Sequence, residues 1–285
     1  MHPPFGPYVV DHLFGFLTIR WYAICILGGA LLAAWFGARR AARRGHDPEH
    51  VWNILAVGLV SAIAFARAWY VFFEWPNFRD KPLLYIINPA TGGIAIHGAI
   101  LGGLLAIWVY TRVYHLDFLE WADIGAPCLP IGQAIGRWGN FFNQEAYGRP
   151  TTLPWGLRID PEHRLPPYDR PPYSPETRFH PTFLYESLWN IGVIVTLLLI
   201  ERRFRRHLLP GDLAMLYGII YSAGRFWIEG LRTDSLCSNG IGGSCAGALR
   251  TAQVVSLVAI VVLALLLAIR HLRHRNTARE ITAGA

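Results

Sequence analysis

Seven apolar runs divide this chain, at residues 13–38, 51–73, 94–110, 118–135, 183–200, 213–228 and 251–269. Each approaches the about 17–25 residues that a helix needs to cross a hydrocarbon core. Three of them stop at arginine clusters: Arg39, Arg40, Arg43 and Arg44; Arg202, Arg203, Arg205 and Arg206; Arg270, Arg273, Arg275 and Arg279. Seven crossings in alternating direction put all three clusters on one side, and basic residues mark that side as cytoplasmic. The expected fold is therefore an all-α polytopic membrane protein with seven transmembrane helices. Its N-terminus lies outside, its C-terminus lies in the cytoplasm, and residues 1–285 form a single integral membrane domain.

Composition agrees. The chain is 53% hydrophobic and only 16% charged, too apolar for an ordinary soluble domain of this length. Its formal charge of +7 is almost wholly arginine, Lys81 being the lone lysine, so the charge reads as a topology marker and no nucleic-acid partner is expected. Residues 1–11 read as a short polar leader without the basic n-region of a cleaved signal peptide. Four cysteines without a C-x-x-C spacing argue against a disulfide scaffold or a thiolate metal site. Cys25 and Cys128 fit as small core residues. Cys237 and Cys245 share a Gly-rich outer loop, where pairing is open to them.

Residues 146–179 differ in kind. They are proline-rich and carry Arg149, Arg158, Arg164, Arg170 and Arg178, which suits an irregular extracytoplasmic segment. It is either a solvated loop or a cover over an active site.

Strongly polar side chains gather at the outer ends of the spans: Arg20 and Tyr22, His97, Arg137 to Glu145, His180 with Tyr185 and Glu186, Tyr221 with Arg225, and Glu229 with Arg232. Polar groups at membrane depth are costly and commonly functional, although arginine and glutamate near helix ends also snorkel or pair structurally. If residues 136–145 stay helical, Arg137 and Asn140 share a face with Asn143, with Gly136 and Gly139 clearing room beside it. Asn143 alternatively serves as a helix cap. A planar guanidinium suits a phosphate and carboxamides suit hydroxyls, so the set points to a phosphate-bearing, hydroxylated ligand. Glu145 and Glu186 would then hold the arginines or bind hydroxyls. Arg225, Glu229 and Arg232 fall on one helical stripe, giving a second guanidinium for the same phosphate. His97, at the start of an apolar helix, is the candidate general base. Neither His97 nor His180 belongs to an H-x-x-H or H-x-x-x-H pair, so no metal site and no cofactor are expected.

Gly136-Arg137-x-Gly139-Asn140-Phe141-x-Asn143-x-Glu145-x-x-Gly148 resembles the signature of the prolipoprotein diacylglyceryl transferase family. Arg20-Trp21-Tyr22, His97-Gly98, His180-Pro181-Thr182-x-x-Tyr185-Glu186 and Gly224-Arg225-Phe226 match its other motifs in order. Ala23 and Ala99 depart from the family's usual glycines by a methyl each. The resemblance implies a bacterial inner-membrane enzyme that moves the diacylglyceryl group of phosphatidylglycerol onto the lipobox cysteine of a prolipoprotein signal peptide and releases glycerol phosphate. Its active site would face the extracytoplasmic side. Within it, Arg137 and Arg225 would hold the phosphate and its departure, with His97 as base. Tyr22, Asn140, Asn143, Glu145, Gly148, Glu186, Tyr221, Glu229 and Arg232 would form the substrate pocket. Two other classes compete. A transporter or channel for an anionic solute would also use buried arginines, but the polar groups gather toward one face and no repeated halves are visible. An intramembrane protease would need a nucleophile such as Ser222, which lacks the glycine that should precede it.

Overall fold

The computed structural model describes residues 1–13, 17–237 and 249–283. The chain forms two compact units, one of Met1–Ala33 with Gly125–Ala285 and the other of Ala34–Ile124. Among the described residues, five helices are long and apolar enough to cross a membrane: Trp21–Arg43, Glu49–Phe73, Ile96–Val113, Thr182–Phe204 and Thr251–Asn276. Their flanks carry large apolar side chains in the open. Val60, Phe72 and Val255, for example, are 70%, 75% and 61% exposed. Apolar belts of this kind are unfavourable in water and suit contact with lipid.

The first span starts later than the run of apolar residues suggests. Strands β1 (Tyr8–Leu13) and β2 (Leu17–Arg20) form an antiparallel hairpin with Tyr8 opposite Arg20. Tyr8, Val9, Val10 and Ile19 are residues that favour a pleated strand, and this local preference wins over the helix expected from residue 13. Helix α1 (Trp21–Arg43) follows directly.

In the unit Ala34–Ile124, α2 (Glu49–Phe73) packs against α4 (Ile96–Val113) where glycines allow close approach; a Cβ on Gly102 would lie 2.6 Å from Phe65 Cβ. Between them run a short helix α3 (Leu83–Ile87) and turns fixed by Arg67, which is buried and donates to the carbonyls of Tyr85, Ile86, Gly92 and Gly93. Arg40, one of the basic cluster that ends the first span, is buried and donates to the carbonyls of Asp123 and Ile124 at the end of α5 (Phe118–Gly125). Those carbonyls lie in the last turn of the helix, where donors from within the helix run out.

The fourth expected span, at 118–135, is not one helix. It breaks after α5 and resumes as α6 (Leu129–Phe142). Gly125, Pro127 and Pro130 account for the break, because proline cannot donate to the preceding turn and is tolerated only at a helix start. With 14 residues α6 is about 21 Å long, short of a hydrocarbon core of about 30 Å. It carries the signature as helix up to Phe142.

The segment 146–179 is largely exposed but anchored at a few buried residues. Strands β3 (Leu157–Arg158) and β4 (Arg178–Phe179) pair, and Tyr147, Leu157, Ile159 and Phe179 bury themselves with Phe141 and Phe183 at the ends of the flanking helices. Arg164 is buried there as well, donating to the carbonyls of Ile159, Ser174 and Pro175. The chain continues through α7 (Thr182–Phe204), α8 (Asp212–Glu229) and α9 (Thr251–Ala283). Helix α9 runs well past the expected end at 269. There His271 and Arg270 meet the buried carboxylate of Asp212 at 2.7 and 3.8 Å. Cys245, whose pairing with Cys237 the sequence leaves open, lies outside the described residues.

Candidate active site

The carboxylate of Glu186, in the second turn of α7, is the meeting point of three guanidinium groups. Arg137 Nε from α6 lies 2.6 Å from Oε2, while Arg225 Nη1 from α8 and Arg232 Nη1 from beyond it lie 3.3 and 3.4 Å from Oε1. Glu186 itself is 5% exposed. A carboxylate buried this deeply keeps its charge only if strong donors surround it. Arg225 also reaches Glu229 Oε2 at 2.5 Å across one helical turn, and Arg232 is held in a two-bond fork by Asp234 at 2.6 and 2.8 Å. Three guanidinium groups thus face three carboxylates. Burial opposes the ionised form of Asp234, but the Arg232 fork outweighs it and keeps that carboxyl below the usual carboxylate range.

The end of α6 extends the network. Arg137 Nη1 donates to Asn140 Oδ1 at 3.3 Å, and Asn140 and Asn143 both donate to Glu145 Oε1, at 2.8 and 3.2 Å. Helix spacing explains the first contact. The return of Glu145 needs the backbone, which turns at Gln144 (φ 53°) and Ala146 (φ 57°), both left-handed. Asn143 also closes the helix through its backbone N–H to Gly139 O. Arg137 Nη2 and Arg225 Nε have no hydrogen-bond partner among the described residues, so each arginine keeps one edge uncommitted.

The other expected residues take different places. Tyr22 lies against α6 at Gly139, where a Cβ would come within 2.6 Å of its ring. Gly148 enters through its backbone: its N–H donates to His180 O at 2.9 Å, it bridges Arg232, and a Cβ would lie 2.7 Å from that of His180. Tyr221 stacks on Tyr217 with ring centroids 5.7 Å apart. His97 belongs to the unit Ala34–Ile124, where it stacks with Trp69. His180 Nδ1 is 3.2 Å from Tyr185 Oη, and burial pushes the imidazole below its ordinary range.

Residues 8–269 match the sequence profile of the prolipoprotein diacylglyceryl transferase family. The chain belongs to that family. It is 56% identical over 283 residues to the phosphatidylglycerol–prolipoprotein diacylglyceryl transferase of Chloroflexus aggregans, covering 96% of this chain and 92% of the relative. The enzymes of the same name from Thermosynechococcus vestitus and Gloeobacter violaceus are 50% and 48% identical, over 86% and 90% of this chain and 86% and 89% of theirs.

Two residues that hold this transferase-family site together were not singled out from sequence. Asp234 lies five residues beyond the end of α8. Arg250 is buried and donates through Nη1 to the carbonyls of Glu229 and Arg232 and to Ser235 Oγ, tying the end of α8 to the turn that carries Arg232. Nothing in its neighbours, Leu249 and Thr251, signals that role. Asp160, Glu162 and His163 each offer one ligand atom within 4.8 Å of the others, but Glu162 and His163 are exposed and Asp160 is already engaged by Gln144 at 2.7 Å. That hydrogen bond is the main reason the Asp160 carboxyl sits below its ordinary range.

Proposed function

We propose that this chain transfers the diacylglyceryl group of phosphatidylglycerol to the cysteine thiol of a prolipoprotein, with the phosphate bound between Arg137 and Arg225. The meeting of those two side chains on one carboxylate, each with a free N–H edge, supports the reading. In the reaction the thiolate sulfur attacks the glycerol carbon that bears the phosphate. A C–S bond forms, the C–O bond breaks, and glycerol phosphate leaves with one more negative charge than it carried as a diester. Guanidinium groups fixed in advance stabilise that growing charge without reorganising. The thiol supplies the nucleophile and surrenders its proton, for which His97 is the proposed acceptor. Glu186 and Glu229 hold the arginines in place between turnovers. Asn140, Asn143, Glu145 and Tyr22 shape the headgroup side of the pocket, with Tyr221, Gly148 and Arg232 completing it.

The proposed topology has seven crossings, the five long helices joined by α8 and by α5 with α6, and an outer N-terminus. It puts the site toward the extracytoplasmic side of a bacterial inner membrane, where the cysteine-bearing segment of a prolipoprotein arrives. The positive-inside tendency of the arginine clusters supports this orientation. The test is release of labelled glycerol phosphate from phosphatidylglycerol in vesicles, dependent on a lipobox peptide. Loss of release in Arg137→Ala, with the protein still inserted, is expected. Undiminished release in that variant removes the phosphate assignment.

A further inference from the structure

Beneath the arginine pair the same helices make a second polar contact. Gln133 Nε2 of α6 donates to Tyr217 Oη of α8 at 2.8 Å. Gln133 is four residues before Arg137, about 6 Å back along α6, and Tyr217 is eight before Arg225 on α8. Both therefore lie farther from the arginine end, deeper along the spans. At the level between Gln133 and Arg137, about 60° round α6 from Gln133, a Cβ added at Gly136 would meet nothing within 4 Å among the described residues. The pair is incompletely used. Gln133 Oε1 is buried with no hydrogen-bond partner among the described residues, an acceptor in that orientation. Turned about its amide, Gln133 accepts the Tyr217 hydroxyl at the 2.8 Å contact and sets its NH2 group at the unpartnered position, where both N–H donors are spare. Unused donors in the hydrocarbon region are costly unless a ligand takes them.

We infer that Gln133 and Tyr217 form a subsite for the ester carbonyl groups of the diacylglyceryl donor. The inference rests on the transferase reading and adds to it a recognition of how the lipid chains are linked to glycerol. Ester carbonyls follow the phosphate of a glycerophospholipid by a few bonds, a span comparable with the one turn that separates Gln133 from Arg137. They are acceptors without donors of their own, which is what two spare donors require. The space beside Gly136 leaves room for the glycerol carbons between the two contacts.

The competing role for such a pair is an interhelical hydrogen bond that holds α6 to α8. Two donor lipids separate these roles. One is phosphatidylglycerol with acyl esters; the other has the same headgroup and chain length but alkyl ethers in place of the esters. Transfer to a lipobox peptide is measured for each as KM and kcat. The wild type is expected to show a KM roughly three- to tenfold higher for the ether lipid. The Gln133→Leu/Tyr217→Phe double variant is expected to raise KM for the ester lipid by a similar factor and to treat both lipids alike. A structural bond alone would impair both lipids equally and keep their ratio. Should the double variant fail to insert, the wild-type comparison and Tyr217→Phe, which keeps the ring stacked on Tyr221, still decide. Equal KM values in the wild type overturn the inference, as does an ester preference that survives in the variants. Absence of transfer from either lipid overturns the transferase reading itself, and the subsite with it.

Discussion

Arg137 and Arg225 stand on different helices yet bind opposite oxygens of one carboxylate, Oε2 and Oε1 of Glu186. The two positive charges are thereby held together before any phosphate arrives, which their mutual repulsion would otherwise resist. Glu186→Gln keeps the shape of that joint and removes its charge. Breaking a buried ion pair from one side costs about 3–5 kcal/mol, and partial exposure of Arg137 and Arg225 places this case near the low end. Transfer is expected to fall by roughly 100-fold, mostly in kcat, because the arginines no longer meet the leaving phosphate in register. Retention of wild-type kcat would show that Glu186 is not what orders them.

A lysine at position 137 cannot replace the arginine. Arg137 uses Nε for Glu186 and Nη1 for Asn140 while keeping Nη2 free, three directions from one planar group. An ammonium is a point charge and cannot hold two fixed partners while presenting a third donor to the ligand. Arg137→Lys is expected to lose at least about tenfold in kcat/KM, and combined with Arg225→Lys the losses should depart from additivity, since both residues share Glu186. Measured additivity within error would mean that the two act independently.

The arginines explain why some of this was legible in sequence and some was not. Arg137, Arg225 and Arg232 stood out because carboxylates and carboxamides recur beside them at helical spacing, and the structure pairs them with carboxylates. Arg40, Arg67, Arg164 and Arg250 are the same residue type, buried, but spend their donors on backbone carbonyls at helix ends and turns. A carbonyl has no side-chain signature, so no local pattern marks such a residue. Apolar length set most helices correctly, from 49–73 to 182–204. It failed at residues 13–20, where strand preference decides, and at Pro127 and Pro130, where missing N–H groups break an apolar run.

Asp234 gives the site a dependence on acid. Its carboxyl is held below the ordinary value by the Arg232 fork, so the folded state binds its proton less readily than the unfolded chain. The stabilisation is then fully present above the ordinary carboxylate value of about 4 and is lost as pH falls through the lower folded value. Asp234→Asn is expected to be less stable than wild type at pH 7, and the difference should shrink as pH drops below about 4. Thermal unfolding in detergent across that range measures it. A difference that grows toward low pH would contradict the sign.

His97 is proposed to take the thiol proton, and the pH profile tests this more directly than activity at one pH. A base must be unprotonated to act, so kcat/KM should fall on the acid side in wild type. His97→Gln is expected to lower the plateau by roughly 100-fold and to abolish that acid limb. An unchanged limb in the variant assigns the proton to another group.

Gly136 and Gly139 lie on one helix, three residues apart, and should respond in opposite ways to a single methyl. A Cβ at Gly139 would stand 2.6 Å from the Tyr22 ring and 3.1 Å from Tyr22 Cα, so α1 must retreat from α6. Overpacking of this kind costs about 1–3 kcal/mol, and Gly139→Ala is expected to lower thermal stability together with activity. At Gly136 the methyl meets no atom of the described residues within 4 Å, and alanine favours the helix by about 1 kcal/mol. Gly136→Ala should therefore be as stable as wild type or more so, while binding phosphatidylglycerol more weakly, because the methyl enters the space proposed for the lipid glycerol. The pair separates packing from binding in one unfolding assay and one KM measurement. Unaltered KM in Gly136→Ala would show that the space beside α6 is not part of the lipid site.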